Sequence, residues 1–248
     1  MITGASSGVG RATALAMAAD GFDVVLTARR ASILQDVAEL CRERGASALV
    51  VPGDVSRAED LAAVTAAAID RFGGFDVWVS NAGVLQFGRI EETPAAAIER
   101  VLFVNIAGTM FSAQEAIRHF RARGRGVLIS TASVLGVVGQ PFAAAYVASK
   151  FAIRGMSESL RQEVRDVPGI HVCTVLSSAI DSPVYSRAAN YMGREMRPIW
   201  WLYPPETVAR TIVRLARKPR REALAGRTFG AATLIGKTLS PGLAERFT

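Results

Sequence analysis

Short β-branched and apolar runs alternate with longer stretches of helical periodicity along the chain. Residues 23–27, 48–51, 76–80, 126–130, 171–176 and 222–225 predict strands. Between them, residues 10–20, 33–44, 58–72, 95–121, 145–167 and 206–217 predict helices. Such alternation argues for βαβ units, hence an α/β fold in which a doubly wound parallel sheet carries helices on both faces. The strands read as nearly continuous apolar runs, as they must when both faces are covered. No linker, repeat or shift of composition divides the chain, so a single domain over 1–248 is expected.

Two segments depart from this simple pattern. Only Met1, Ile2 and Thr3 precede a glycine-rich turn, so the first strand is expected to be short by about five residues against typical strand length. A strand cut short at the sheet centre would leave a neighbour with unpaired backbone groups. Residues 126–149 carry no charge, which is long enough to raise the question of a membrane span. Ser130, Thr131, Ser133, Gly136, Gly139, Gln140 and Pro141 break that run into strand, loop and helix start, so it reads as soluble core and site wall.

Composition adds limits. Half of the 248 residues are hydrophobic, enough for a sizeable core and too many for a disordered chain. The formal charge of +7 raises nucleic acid or an anionic surface as partners. Yet lysine occurs only at 150, 218 and 237, and the basic residues are scattered apart from one cluster at Arg214, Arg217, Lys218, Arg220 and Arg221. No nucleic-acid motif accompanies them, so a solvated surface is the reading and no nucleic acid is expected. Cys41 and Cys173 lack metal-ligand spacing, as do His119 and His171; reduced thiols in a cytoplasmic protein are expected, with no metal. No charged leader followed by an apolar stretch is evident at the N-terminus.

The first chemistry lies in Thr3-Gly4-Ala5-Ser6-Ser7-Gly8-Val9-Gly10, which runs directly into a helix. Glycines allow a tight turn and bring backbone N–H groups close to a pyrophosphate at the positive end of the helix. This T-G-x-x-x-G-x-G pattern resembles the glycine motif of the short-chain dehydrogenase/reductase superfamily. Further motifs follow in order, so the resemblance covers essentially the whole chain and implies a Rossmann-type sheet. It implies that Asp54 and Val55 meet an adenine and that Asn81, Ala82 and Gly83 form a turn beside the cofactor. With them, Gly4, Ser6, Ser7, Gly8, Val9 and Gly10 are the expected cofactor-binding residues.

The residue after the second strand discriminates between nicotinamide cofactors: an acid accepts from a ribose 2′-OH, whereas arginine meets a 2′-phosphate. Here Thr27-Ala28-Arg29-Arg30 offers no acid, so Arg29 points to NADP(H) over NAD(H). The glycine turn itself carries no second basic residue.

Tyr146-Val-Ala-Ser-Lys150 places a phenol and an ammonium on one helix face. A nearby ammonium would lower the phenol pKa and make it a usable acid or base. The resemblance implies that Tyr146 and Lys150 also bind the cofactor, with Lys150 on the nicotinamide ribose. Thirteen residues upstream, Ser133 stands where the resemblance implies a substrate-orienting serine. Asn105 matches the asparagine that kinks its helix and supports a proton relay. The resemblance also implies that Ile180 meets the nicotinamide carboxamide through its backbone and that Ser182 stands for a threonine. One departure is Ser177-Ser178, where the family carries Pro-Gly; it bears on nicotinamide packing or loop closure, and activity is expected to survive it.

Residues 184–203 correspond to the substrate loop and hold Tyr185, Tyr191, Met192, Met196, Trp200, Trp201 and Tyr203. Aromatic and apolar lining suggests a hydrophobic ketone or secondary alcohol, with a helical lid packing its own apolar face, or a subunit contact, as an equal alternative. Arg187, Arg194 and Arg197 keep a ketoacyl-carrier-protein reductase as an alternative, and Ser177-Ser178 motivates a non-catalytic NADP(H) sensor. An apolar stretch at 229–239 reads as a packed C-terminal segment, with surface membrane attachment as the competing view. The resemblance further implies a homodimer or homotetramer.

Overall fold

The computed structural model describes residues 1–194 and 202–226. The expectations for Met196, Arg197, Trp200, Trp201 and 229–239 lie outside these residues.

Seven parallel strands form one sheet in the order β3-β2-β1-β4-β6-β7-β9, from β1 (Ile2–Thr3), β2 (Val24–Thr27), β3 (Ala48–Val50), β4 (Val77–Ser80), β6 (Gly126–Ser133), β7 (Ile170–Ser177) and β9 (Glu222–Ala225). The period-2 direction of strand side chains splits each strand between two cores. Val24, Leu26, Val77, Val79, Val127, Ile129, Cys173 and Val175 pack under helices α1 (Gly8–Ala19), α2 (Ala31–Arg42) and α7 (Pro205–Arg217). Val25, Trp78, Leu128 and Val172 face the other way, against α3 (Ala58–Phe72), α5 (Gly108–Arg123) and the end of α6 (Ala144–Glu163). The doubly wound sheet expected from the alternation is the one observed. In α7 the buried Val208, Ala209, Thr211, Ile212 and Leu215 recur at helical spacing, and Pro205 opens the helix where no intrahelical N–H is needed.

Boundaries moved by a few residues, and three differences have structural meaning. The 126–130 strand continues to Ser133 because β7 pairs with it along its whole length, as far as Ser133 beside Ser177. The long helix read at 95–121 is α4 (Ala95–Leu102), a π-helical turn at Phe103–Ala107 and then α5. A two-residue parallel pair, β5 (Gln86–Phe87) with β8 (Ala189–Asn190), has too little apolar pattern to be seen in sequence.

The short first strand is paired on both sides. Ile2 and Thr3 lie beside Leu26 and Thr27, and Ile2 beside Val79. The Met1 carbonyl accepts from Val79 N–H at 2.9 Å, and the Met1 ammonium donates to Val77 O at 2.9 Å. Burial pushes that amine down to about 5. Residues 126–149 divide as expected into β6, a 3₁₀ turn at Val134–Gly136, a loop and the start of α6. A different run, Ala95–Arg123, has the length and mean hydropathy (1.2) of a membrane span by composition. Its face formed by Ser112, Ala113, Ala116 and Phe120 is buried against the sheet.

Candidate active site

The chain winds outward in one direction through β1-β2-β3 and in the other through β4-β6-β7, so a crevice opens between the ends of β1 and β4. A cleft of about 390 Å³ occupies it. Its outer part is the glycine turn. Ser7 precedes α1 in extended conformation, and no side chain caps the first N–H groups of that helix. Those donors are therefore free for an anion. Gly8 has φ +52, and a Cβ there would fall 3.2 Å from Ser182 Cβ. Gly10 does not line the cleft; a Cβ there would lie 2.2 Å from the Gly4 carbonyl oxygen, so its role is close packing of the helix on the turn.

The turn at Asn81-Ala82-Gly83 is tied to β1 by Thr3. The Thr3 hydroxyl accepts from Asn81 N–H (2.9 Å) and Ala82 N–H (3.1 Å), and Asn81 Nδ2 donates to the Thr3 carbonyl at 3.1 Å. Gly4, Ser6, Ser7, Gly8, Val9, Asn81, Ala82 and Gly83 all line the cleft.

Arg29 and Arg30 reach the rim from the end of β2, with Asp54, Val55 and Arg100 nearby. Arg30 Nη2 donates to Ser6 Oγ at 3.0 Å, a contact the sequence reading missed. Asp54 is already occupied: Ser56 donates to Oδ1 through its N–H and hydroxyl, and Arg100 lies 3.3 Å from Oδ2. Burial would raise the Asp54 pKa, but these donors outweigh it and hold the carboxyl below its usual range.

At the inner end Ser133, Tyr146 and Lys150 meet on the cleft wall. Ser133 ends β6; its hydroxyl donates to Ser177 O at 3.2 Å and accepts from Leu135 N–H at 3.1 Å. Tyr146 and Lys150 share a face of α6, and Lys150 Nζ stands 5.4 Å from the centroid of the Tyr146 ring. The expected lowering of the phenol pKa is not what this geometry gives. Burial raises it, the neighbouring Tyr185 adds to the rise, and a hydrogen bond with Ser133 opposes it. The ammonium instead donates to Thr131 O at 2.9 Å, and burial pushes it down to about 8. Desolvation dominates at both groups.

Asn105 does not reach the cleft. It is fully buried in the π-helical turn, where Oδ1 accepts from Val84 N–H (2.8 Å) and Nδ2 donates to Val84 O (3.0 Å) and Ser149 Oγ (3.0 Å). Ser149 in turn donates to the Tyr146 carbonyl at 2.7 Å. The amide thus ties the segment after Asn81-Ala82-Gly83 to the helix of Tyr146. Ser149, the fourth residue of the Tyr146–Lys150 run, was legible only as spacing.

Ser177 is the last residue of β7 and Ser178 follows it. Ser177 pairs with both Ser133 and Ala225, Ser178 N–H donates to Ala225 O at 2.9 Å, and Ser178 Oγ donates to Gly226 O at 2.7 Å. The two serines thus continue the hydrogen-bonded ladder toward β9. Beyond them, Ile180 and Ser182 line the cleft. The Ile180 backbone, expected to meet a carboxamide, hydrogen-bonds the Tyr185 hydroxyl here. Leu85, Phe87, Ala143, Tyr146, Val184, Tyr185, Ala188 and Met192 form a separate apolar cluster over the inner end. Phe142, beside it, holds a left-handed φ of 64, an unusual conformation for a bulky residue.

A dinucleotide-sized crevice at the switch point of a doubly wound sheet, with a phenol, an ammonium and a hydroxyl at its inner end, defines the oxidoreductase class of this architecture. Residues 1–191 match the short chain dehydrogenase family, and the chain belongs to it. It is 34% identical over 251 residues to the uncharacterized oxidoreductase YxnA of Bacillus subtilis (strain 168), spanning 99% of this chain and 70% of that one. An alcohol dehydrogenase from the archaeon Thermococcus sibiricus, solved with 5-hydroxy-NADP, superimposes with a TM-score of 0.80 at 28% identity, covering 90% and 93% of the two chains. A short chain dehydrogenase/reductase from Burkholderia phymatum, solved with NAD, shares the fold with a TM-score of 0.87 at 24% identity over 98% and 93%. The protein is a nicotinamide-dependent dehydrogenase/reductase acting on CH–OH/C=O groups.

Proposed function

We propose that the protein reduces a hydrophobic ketone, or oxidises the matching secondary alcohol, with NADP(H). The observation that carries this is the joining of two features in one cleft: a rim with Arg29 and Arg30 and no acid after β2, and a floor where Ser133, Tyr146 and Lys150 converge. The residues fit the cofactor. The uncapped start of α1 and the close-packed Gly8 and Gly10 suit a pyrophosphate, and the guanidiniums suit a 2′-phosphate. When bound, the nicotinamide supplies or accepts the hydride.

This chain's residues do the rest. Tyr146 gives its hydroxyl proton to the substrate oxygen in the reduction direction, and its burial keeps it protonated until charge develops there. Ser133 turns its hydroxyl proton from Ser177 O to the same oxygen and stabilises that charge. Lys150 holds the nicotinamide ribose, and its charge draws the phenol toward ionisation once the proton starts to move. Asn105 supports the proton relay by fixing Val84 and, through Ser149, the helix of Tyr146. Asp54, Val55, Asn81, Ala82, Gly83, Ile180 and Ser182 complete the cofactor wall. The apolar cluster of Leu85, Phe87, Val184 and Tyr185 favours an uncharged, carbon-rich substrate.

Exposed Phe103, Met110 and Phe151 on adjoining helices support assembly into a homodimer or homotetramer. Both cysteines are free and buried, in keeping with a cytoplasmic enzyme. The deciding experiment follows NADPH consumption across a panel of cyclic and aryl ketones. Turnover that favours NADPH over NADH by about tenfold or more supports the reading; turnover with NADH alone, or none across the panel with cofactor bound, overturns it.

A further inference from the structure

The phosphate turn carries no basic residue, yet a guanidinium stands against each of its two serines. Arg30 donates to Ser6 Oγ from the end of β2. Arg187 Nη1 lies 3.5 Å from Ser7 Oγ and comes from the substrate loop, 180 residues away in sequence. Both arginines line the cleft. Among the described residues no carboxylate pairs with either one, whereas Arg100 on the same rim is engaged by Asp54.

The loop holds Arg187 there by local structure. Arg187 N–H donates to Pro183 O at 3.1 Å and Ala188 N–H to Tyr185 O at 3.3 Å, closing one helical turn. That turn begins at Ser182, whose Cβ packs over Gly8, and it ends in β8, which pairs with β5. Both ends of the segment are therefore fixed on the body of the domain. Ser7 is the residue preceding α1, so a guanidinium at its hydroxyl stands beside the uncapped helix N–H groups.

We propose that Arg187 is a ligand of the cofactor pyrophosphate, a phosphate contact delivered by the substrate loop and indifferent to the 2′-position. The proposal rests on the cofactor reading above. Two cations then divide the work: Arg30, on the ribose side with Arg29, selects the 2′-phosphate, while Arg187 binds the bridge common to NADH and NADPH. Because the same turn carries Tyr185 to the inner end of the cleft, the contact also fixes the loop over the substrate site.

The test is fluorescence titration of wild type, Arg187→Ala, Arg187→Lys and Arg30→Ala with NADH and NADPH, alongside thermal unfolding of each protein. Arg187 is exposed, so its variants should unfold with wild type. The expected result is that Arg187→Ala raises both dissociation constants by a similar factor of about ten, as for loss of a charge-assisted contact. Arg187→Lys should recover part of the loss for both, and Arg30→Ala should weaken NADPH alone. Both constants within twofold of wild type in Arg187→Ala would overturn the proposal. So would a loss confined to NADPH, which would move Arg187 to the 2′-phosphate. Wild type that binds neither cofactor would instead sink the cofactor reading itself, and this proposal with it.

Discussion

The two ends of the cleft are built by different means. The cofactor end is backbone work: Thr3, Asn81 and Ala82 are locked by hydrogen bonds of 2.9–3.1 Å, and Gly10 allows an approach no side chain could share. The substrate end is side-chain work: a two-residue strand pair anchors a loop whose Val184, Tyr185 and Met192 pack on Leu85 and Phe87. Backbone geometry is intolerant of change, whereas apolar packing accepts many shapes of similar volume. The protein thus keeps one end fixed for a common ligand and leaves the other free to be reshaped.

Tyr146 joins the two ends, and its loss has the largest expected effect. Tyr146→Phe should lower kcat by about 10³-fold with the cofactor still bound, read by steady-state kinetics and titration. Near-normal turnover would remove the phenol from the chemistry.

Lys150, at the same junction, gives a pH signature. Its folded pKa of about 8 lies below the usual lysine value of 10.5, so between these values the unfolded chain binds more protons. Stability from this group is present above 10.5 and lost as pH falls through 8. Lys150→Met should therefore gain on wild type by about 3 kcal/mol below pH 8, a margin that closes toward pH 10.5. Denaturant unfolding of both proteins across this window checks it; a margin independent of pH would show that burial does not perturb this ammonium.

Gly10→Ala sharpens the contrast on the rigid side. Forcing a Cβ against the Gly4 carbonyl should cost about 2–3 kcal/mol and abolish cofactor binding. Asn105→Ala should cost about 2 kcal/mol, or roughly 4–8 °C in Tm, by leaving the Val84 peptide unsatisfied. Calorimetry on both variants would test whether the cofactor end is as brittle as its geometry implies. Tyr185→Phe, on the adaptable side, should change stability by less than about 1 kcal/mol and act mainly on KM. A large loss of stability there would break the comparison.

The sequence by itself determined what depends on neighbours along the chain. Alternating apolar runs set the sheet, since strand period and helix period follow from local backbone geometry. Gly4–Gly10 set the phosphate turn, and the spacing of Tyr146 and Lys150 put both on one helix face. Tertiary structure alone decided what depends on distant partners and on water. Arg187 meets Ser7 across 180 residues because the β5–β8 pair and Ser182 fix its loop, and no local pattern encodes that closure. Asn105 turns inward to Val84 and Ser149 because its turn is sealed on all sides. The phenol and ammonium of Tyr146 and Lys150 shift by burial more than by each other, because desolvation is a property of the assembled interior and not of spacing.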